Sequence, residues 1–519
     1  MTGEDIPLFK DFSFYSEAET EKKRYQKVDS IFRQTYGDGP DFFSRAPGRV
    51  NLIGDHIDYN NFSVMPMAIN GDMVVAAKAV DDGIIRLKNV DPTFEAEEFE
   101  LPKNGDYISI DADHHSWGNY FKCSLRVAQE YIKENFPEKA KNRLQGLRLY
   151  FDGTVPTGGG LSSSAAICVA STLAVLAANG IKSVSKSELT RITAVSEHFV
   201  GVHNGGMDQC ASIYGERNKA ILIQFKPRLV GYPFQLPDVR PEMVFLVTNS
   251  LVKADKKASA PRNYNLRVVE TSIAAELLAS KFKLSLDHDS NLGTGTPRSF
   301  MDKYYEDYLH EPSWDGADVE IGIKNLEGML QLTESLFSES QKKGMSAEEV
   351  AQEMGMSLEE FQQKFLNKFP VVFDKLKLYQ RAKHVFAESL RVLQTLKLCR
   401  LYKPGQQDIA FLKNFGEFLN ESHKSLDVLC DSTTPELNEI YNISLESGSY
   451  GARVTGAGFG GCMVHLTTVE KVPQLITALK VKYYKKHFPS LSEEELSNAI
   501  VVTPPAAGCC LVDQTSIYT

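Results

Sequence analysis

Four residues that can exchange protons or hydrogen bonds crowd one short stretch: Arg49, Asp55, His56 and Asp58. Pro47-Gly48 and Gly54-Asp55 predict turns around a short buried strand over 50–53. Arg49 then lies just before the strand, and the two carboxylates and the imidazole lie on the loop beyond it. A hydroxyl-rich ligand needs such paired acceptors and donors. A solvated turn is the other reading. A third carboxylate, Asp208, stands among glycines in Gly205-Gly206-Met207-Asp208-Gln209. There, either backbone approaches a ligand closely or Asp208 caps a helix.

Between these stretches runs Thr157-Gly158-Gly159-Gly160-Leu161-Ser162-Ser163-Ser164-Ala165-Ala166. Leu147, Leu149 and Phe151 alternate with polar residues ahead of it, which predicts a strand. The serines stand where they would cap a helix that ends at Asn179-Gly180. A helix opening after a glycine loop presents unpaired N–H groups, and the anion that suits it is a phosphate. A tight turn is the plainer alternative. The loop lacks the lysine of a P-loop, so neutralising charge must come from Mg²⁺ and from elsewhere in the chain.

The elements that must carry these residues follow from periodicity. Helical spacing covers 17–36, 117–134, 187–200 and a long amphipathic stretch from Leu266. Trp117 opens the second of these, either stacking on a base or packing as a staple. Strands are predicted over 73–80, 84–90, 220–225 and 243–249, with 227–241 Pro-rich and a domain junction. Residues 299–402 are largely helical, including 346–364, and carry no chemical motif. A helix follows over 409–429, in which His423 reads as structural. Gly456-Ala457-Gly458-Phe459-Gly460-Gly461 fits G-x-G-x-x-G formally, but a strand follows it rather than a helix. A strand–turn–strand closing over a ligand is the better reading. A helix over 469–488 and a strand over 499–502 come last.

Acidic residues outnumber basic ones by 67 to 57 in 519 residues, a net charge of −10, which argues against non-specific nucleic-acid or anionic-membrane binding. The 8 cysteines show no C-x-x-C spacing, so no zinc ribbon is expected. The apolar run 165–178 is too short to span a membrane, and the first residues lack a signal-peptide pattern. A cytoplasmic protein is expected.

Together, Pro47 to His56, Pro156 to Ala166 and Gly456 to Gly461 resemble the GHMP superfamily of small-molecule kinases. His56, Asp58 and Tyr59 are similar to the galactokinase signature. Asn204 to Gln209, Asn263-Tyr264-Asn265-Leu266-Arg267 and the inserted region 299–402 resemble the fungal galactokinase branch. The resemblance implies an α+β fold, a two-lobed α/β sandwich with the active site between lobes 1–236 and 237–519. It implies ATP and Mg²⁺ and transfer to the 1-hydroxyl of galactose. Gly158, Gly159, Gly160, Leu161, Ser162, Ser163, Ser164 and Ala165 would hold the ATP phosphates, with Trp117 near the adenine. Ser164 and Glu197 would bind Mg²⁺, and Arg49 and Asp208 would be the catalytic pair. Arg49, Asp55, His56, Asp58, Gly205, Asp208 and Tyr264 would contact the sugar, although galactokinases usually have Glu where Asp55 stands. Two alternatives come with the resemblance: a galactose- and ATP-dependent sensor that binds a transcriptional repressor, and an N-acetylgalactosamine kinase.

Overall fold

The computed structural model describes residues 4–103, 106–111, 116–141, 143–156, 159–201, 205–252, 259–368, 370–405 and 408–518. Strands β1 (Leu8–Phe9), β2 (Phe42–Ile53), β3 (Met65–Val80), β4 (Ile84–Asn89), β5 (Glu97–Glu100) and β6 (Gly146–Gly153) belong to the larger sheet. β7 (Lys219–Gln224) and β8 (Val230–Gln235) form a separate hairpin. β9 (Met243–Asn249), β10 (Gly451–Thr455), β11 (Cys462–Thr468) and β12 (Ile500–Val502) build a second sheet. β13 (Cys510–Asp513) returns to the first. The orders are β1-β13-β2-β3-β6-β4-β5 and β10-β11-β9-β12.

The first sheet is covered by the helix Ser163–Ala178, which packs on β2 and β3 and against the helix Gly118–Asn135. Its residues are apolar around most of its circumference, which is the signature of a helix buried on all sides. Asn179 ends it, with Gly180 in the left-handed region at φ +74 as expected. The second sheet is antiparallel throughout and has its own apolar core around Leu246, Val454, Met463 and Leu475. The insertion is helical. Its longest helix, Leu378–Leu401, packs against Val319–Leu336, against Tyr264–Lys281 and onto β2.

Several boundaries differ from the sequence reading. The strand expected over 50–53 is the end of the longer β2, because Pro47-Gly48 sits at a register shift rather than a turn. A bulge of this kind accommodates a proline without a ladder N–H. The Pro-rich segment 227–241 contains β8. The helix expected over 187–200 stops at Thr193 and resumes as a 3₁₀ turn, Ser196–Val200. The segment 346–364 is two helices, Ala347–Glu353 and Leu358–Phe365, each begun by a Ser–Glu capping box. β13, from beyond residue 236, lies between β1 and β2 in the first sheet. Among the described residues no helix is long and apolar enough to cross a membrane. All eight cysteines are free and buried.

Candidate active site

The bulge in β2 aims Arg49 at the start of the helix Met207–Tyr214. Arg49 Nε donates to Asp208 Oδ1 at 2.8 Å, and the second guanidinium nitrogen lies 2.7 Å from the same oxygen. The remaining nitrogen donates to the Gly160 carbonyl at 2.5 Å. Asp208 is not the helix cap. Gly206 holds that position at φ +88, and Asp208 lies in the first turn with its carboxylate turned outward. Ser162 donates its hydroxyl to Asp208 Oδ2 at 2.6 Å. That contact revises the reading of the serine run. Ser162 occupies the N-cap position of its helix at φ +61, but its hydroxyl makes no capping bond and serves Asp208 instead.

The phosphate loop is clasped from two sides. The Arg49 N–H donates to the Leu161 carbonyl at 3.1 Å. From the second sheet, the β10–β11 turn presses on Gly159 and Gly160. A Cβ on Gly160, at φ +77, would stand 3.3 Å from the Thr455 carbonyl oxygen, and one on Gly456 would stand 2.9 Å from that of Gly160. Only backbone fits at this approach. Ser163, Ser164 and Ala165 form the first turn of the helix, where N–H groups have no intrahelical partner. Gly158 lies outside the described residues.

The loop after β2 is fixed in an unusual way. His56 has φ +63 and both its ring nitrogens are engaged: Nε2 with the Ala457 carbonyl and Nδ1 with the Tyr59 hydroxyl, each at 2.9 Å. Burial pushes its pKa down to about 3, so the ring is neutral. Nε2 therefore donates to the carbonyl and Nδ1 accepts from Tyr59. Asp55 is likewise engaged, accepting from Asn51 at 2.9 Å, Arg453 at 2.6 Å and the Gly456 N–H at 3.2 Å. Through these bonds Asp55 and His56 also fasten this loop to the β10–β11 turn.

Asp58 is different. It is buried and accepts from the Gly205 N–H at 3.2 Å. Burial and the nearby Asp208 carboxylate raise its pKa to about 7. Tyr264 opens the helix Tyr264–Lys281, with its ring 5.7 Å from those of His56 and Tyr59. Burial, then the charges of Asp58, Asp208, Asp55 and Glu197, push its hydroxyl well above the ordinary range. Arg49, Asp58, Gly205, Asp208 and Tyr264 thus surround one small polar space.

Glu197 is buried and accepts from Gln209, the neighbour of Asp208, at 3.3 Å. Burial and then the Glu197 charge push up the thiol of Cys168, one turn beyond Ser164 on the same helix. Glu197 therefore stands beside the first turns of the phosphate helix. Gln209 Oε1 is buried without a hydrogen-bond partner among the described residues. A carboxylate, a hydroxyl and a spare amide oxygen are hard oxygen donors, which fit a Mg²⁺ arriving with its nucleotide better than a closed protein cage. No cluster of three or more His, Cys, Asp or Glu side chains suited to a metal occurs among the described residues. Trp117 packs on Phe151 and Phe94 with ring separations of 5.1 and 6.1 Å, and its indole N–H donates to the Glu95 carbonyl at 2.8 Å.

Residues 30–79 match the family model of the galactokinase galactose-binding signature. Residues 119–216 match that of the GHMP kinases N terminal domain, and 409–486 that of the GHMP kinases C terminal domain. Over 511 residues, 98% of each chain, the sequence is 53% identical to the galactokinase of Schizosaccharomyces pombe. The chain belongs to the galactokinase family. The galactokinase of Candida albicans is 49% identical over 98% of each chain, and that of Saccharomyces cerevisiae 46% over 94% of this chain and 95% of its own. A solved Lactococcus lactis galactokinase complexed with galactose shares the fold, with a TM-score of 0.64 at 23% identity, covering 94% of this chain and 99% of that one. This galactokinase-family chain is a sugar kinase of the fungal branch, with the α+β, two-lobed GHMP fold that its motifs imply.

The sequence reading missed two buried groups of charged residues that pack behind the candidate site. One is Arg453, Glu388 and His384 behind the sugar loop. The other is Arg24, Arg45 and Asp72 behind the strand that enters the phosphate loop.

Proposed function

We propose that the chain transfers the γ-phosphoryl group of ATP to the 1-hydroxyl of α-D-galactose, giving galactose 1-phosphate and ADP. The observation that carries this reading is the Arg49–Asp208–Ser162 junction, which joins the phosphate loop to the polar space around Asp58. In that space Asp55, His56, Asp58, Gly205 and Tyr264 hold the sugar, together with Arg49 and Asp208. Asp208 orients the reacting hydroxyl, with one oxygen held by Arg49 and the other by Ser162.

The hydroxyl oxygen bonds to the γ-phosphorus while the bridging bond to the β-phosphate breaks, and that electron pair leaves on ADP. The hydroxyl proton passes to Asp208. Because the transition state is loose, positioning and charge neutralisation supply most of the catalysis. Arg49 contributes a fixed positive charge, and the helix start at Ser163–Ala165 contributes backbone N–H groups. Ser164 and Glu197 would hold Mg²⁺, which would neutralise phosphate charge. Trp117 would flank the adenine. Free, buried cysteines suit a cytosolic setting.

Purified protein given Mg-ATP with galactose, N-acetylgalactosamine, glucose or mevalonate should turn over galactose. Asp208→Asn should fold and bind both substrates but lose about 10²–10⁴-fold in kcat, the usual contribution of a positioned base. Near-normal turnover in that variant would remove Asp208 from the role. Binding of galactose and ATP by the unaltered chain without turnover would favour a sensor that signals to a repressor.

A further inference from the structure

Four ionisable residues of the inserted helix Leu378–Leu401 share one face at helical spacing: Arg381, His384, Glu388 and Arg391. All four are buried. Arg381 pairs with Glu270, but the other three converge behind the sugar loop. Glu388 accepts from the Gly54 N–H at 2.9 Å and from the Ser422 hydroxyl at 2.7 Å. Its second oxygen takes Arg391 at 2.9 Å. Arg453 lies 3.7 Å from Glu388 and gives its other donors to Ser422, to Asp55 and to the carbonyls of Asn51 and Leu52. His384 contacts the Asp55 carbonyl at 3.1 Å and the Ser425 hydroxyl at 2.8 Å. Backbone groups of Asn51, Leu52, Gly54 and Asp55 are thus held by side chains from outside the loop.

Two carboxylates, Glu388 and Asp55, face two guanidinium groups, Arg391 and Arg453. Both carboxylates and Arg453 are 2% exposed or less. Burial works against the charge on Glu388, but Arg391, then Arg453 and His384, outweigh it and hold its carboxyl at about 2. A buried pair is an inefficient way to add stability, because desolvation offsets most of the attraction. What it does provide is direction: the carboxylates and Arg453 bond to particular backbone groups. From more than one side, this cluster grips the segment leading into His56 and Asp58.

We propose that Glu388 is a positioning residue for sugar binding. Through the Gly54 N–H and through Arg453 it sets where the loop carrying Asp58 stands, and so gives the helical insertion a part in substrate recognition. This rests on the galactose reading above.

The test compares steady-state constants of the full chain and its Glu388→Gln variant for both substrates. Glutamine keeps the shape and an oxygen for Gly54 but removes the charge between the arginines. The galactose KM should rise about ten-fold or more, as expected for a misplaced binding loop, with less than a two-fold change for MgATP. Glu388→Asp, which keeps the charge at shorter reach, should recover part of the loss. Phe361→Leu, in another helix of the insertion, controls for lost stability: it should lower the thermal midpoint and leave the galactose KM alone. Equal changes in both KM values, or a galactose KM that tracks the midpoint across all variants, would overturn the role. Unaltered protein inert towards galactose would overturn this proposal and the galactose reading together. Turnover in the unaltered protein with an unchanged KM in Glu388→Gln would overturn this one alone.

Discussion

Each loop proposed to meet a substrate rests on a buried cluster of arginine and carboxylate, and the two clusters are wired differently. Behind the sugar loop, Arg453 bonds to the end of β2 at Asn51 and Leu52, while Glu388 and His384 bond to backbone of the loop itself at Gly54 and Asp55. Behind the phosphate loop, Arg45, Arg24 and Tyr15 converge on Asp72, and the link to the loop is made further along the chain. Arg24 reaches Asp152 through both its carboxylate and its carbonyl, and Thr154 bonds to Asp72 backbone. The sugar loop is therefore gripped directly, whereas the phosphate loop is anchored at the strand that leads into it. A loop that must read the arrangement of hydroxyls needs its position fixed residue by residue. A loop that offers N–H groups to phosphates needs chiefly a fixed point of entry, since the helix start orients the donors.

Removing the charge of Asp72 should have the largest effect. Asp72→Asn leaves Arg45 and Arg24 buried against a neutral group, and loss of one partner in such a site costs about 3–5 kcal/mol. Urea unfolding should show that loss, with MgATP binding weakened more than galactose binding. A stable variant weakened equally for both would erase the distinction between the clusters. Asp72 also has a pH signature. Burial works against its charge, but Arg24 and Arg45 outweigh burial and lower its pKa. Its contribution is present above the unfolded value of 3.8 and is lost as pH falls through the lower folded value.

Asp58 gives a smaller effect of opposite sign. Its folded pKa of about 7 stands above the ordinary 3.8, so the stability it contributes is complete below 3.8 and is lost as pH rises through 7. A sugar hydroxyl donating to Asp58 requires the carboxylate. Galactose should therefore bind more tightly as pH rises from about 6 to 8, by up to roughly ten-fold per unit below the pKa. Calorimetric titration of galactose across that range should show the slope, and Asp58→Asn should abolish it. Affinity flat with pH in the unaltered protein would mean the sugar does not engage that carboxylate.

The finest comparison removes one hydroxyl from each cluster. Thr154→Val and Ser422→Ala should each cost about 1 kcal/mol, the usual net value of an intramolecular hydrogen bond. Thr154→Val should weaken MgATP binding, and Ser422→Ala galactose binding. The reverse pattern would show that the two supports are not separate.

Much of this organisation could be read from residues alone, and the exceptions share a cause. β9 spans the residues expected from its apolar run, and the β10–β11 hairpin follows from glycines placed before a strand. The phosphate helix begins and ends where its serines and Asn179-Gly180 indicate. In each case the signal is local. β2 continues through Pro47-Gly48 because β3 supplies a partner on the far side of the bulge, and no local pattern reports that. Ser162 was legible as a cap, but only the packing of the Met207–Tyr214 helix brings Asp208 to its hydroxyl. Arg381, His384, Glu388 and Arg391 were visible as polar residues at helical spacing, which usually marks a solvated face. Their burial depends on the Tyr264–Lys281 helix and β2, both distant in sequence. A row of ionisable residues along one side of an otherwise well-packed helix was the signal that could have found them.

The place of β13 bears on how the molecule comes into being. β1 joins the large sheet only through β13, which itself pairs with β2. During synthesis from the N-terminus, the sheet that carries Arg49 therefore keeps an open edge at β2 while the second sheet and the whole insertion are being made. Unpaired edges invite association with other chains. Closing that edge requires a strand from the far end of the chain, so the sheet that carries Arg49 is completed only once β13 has been made.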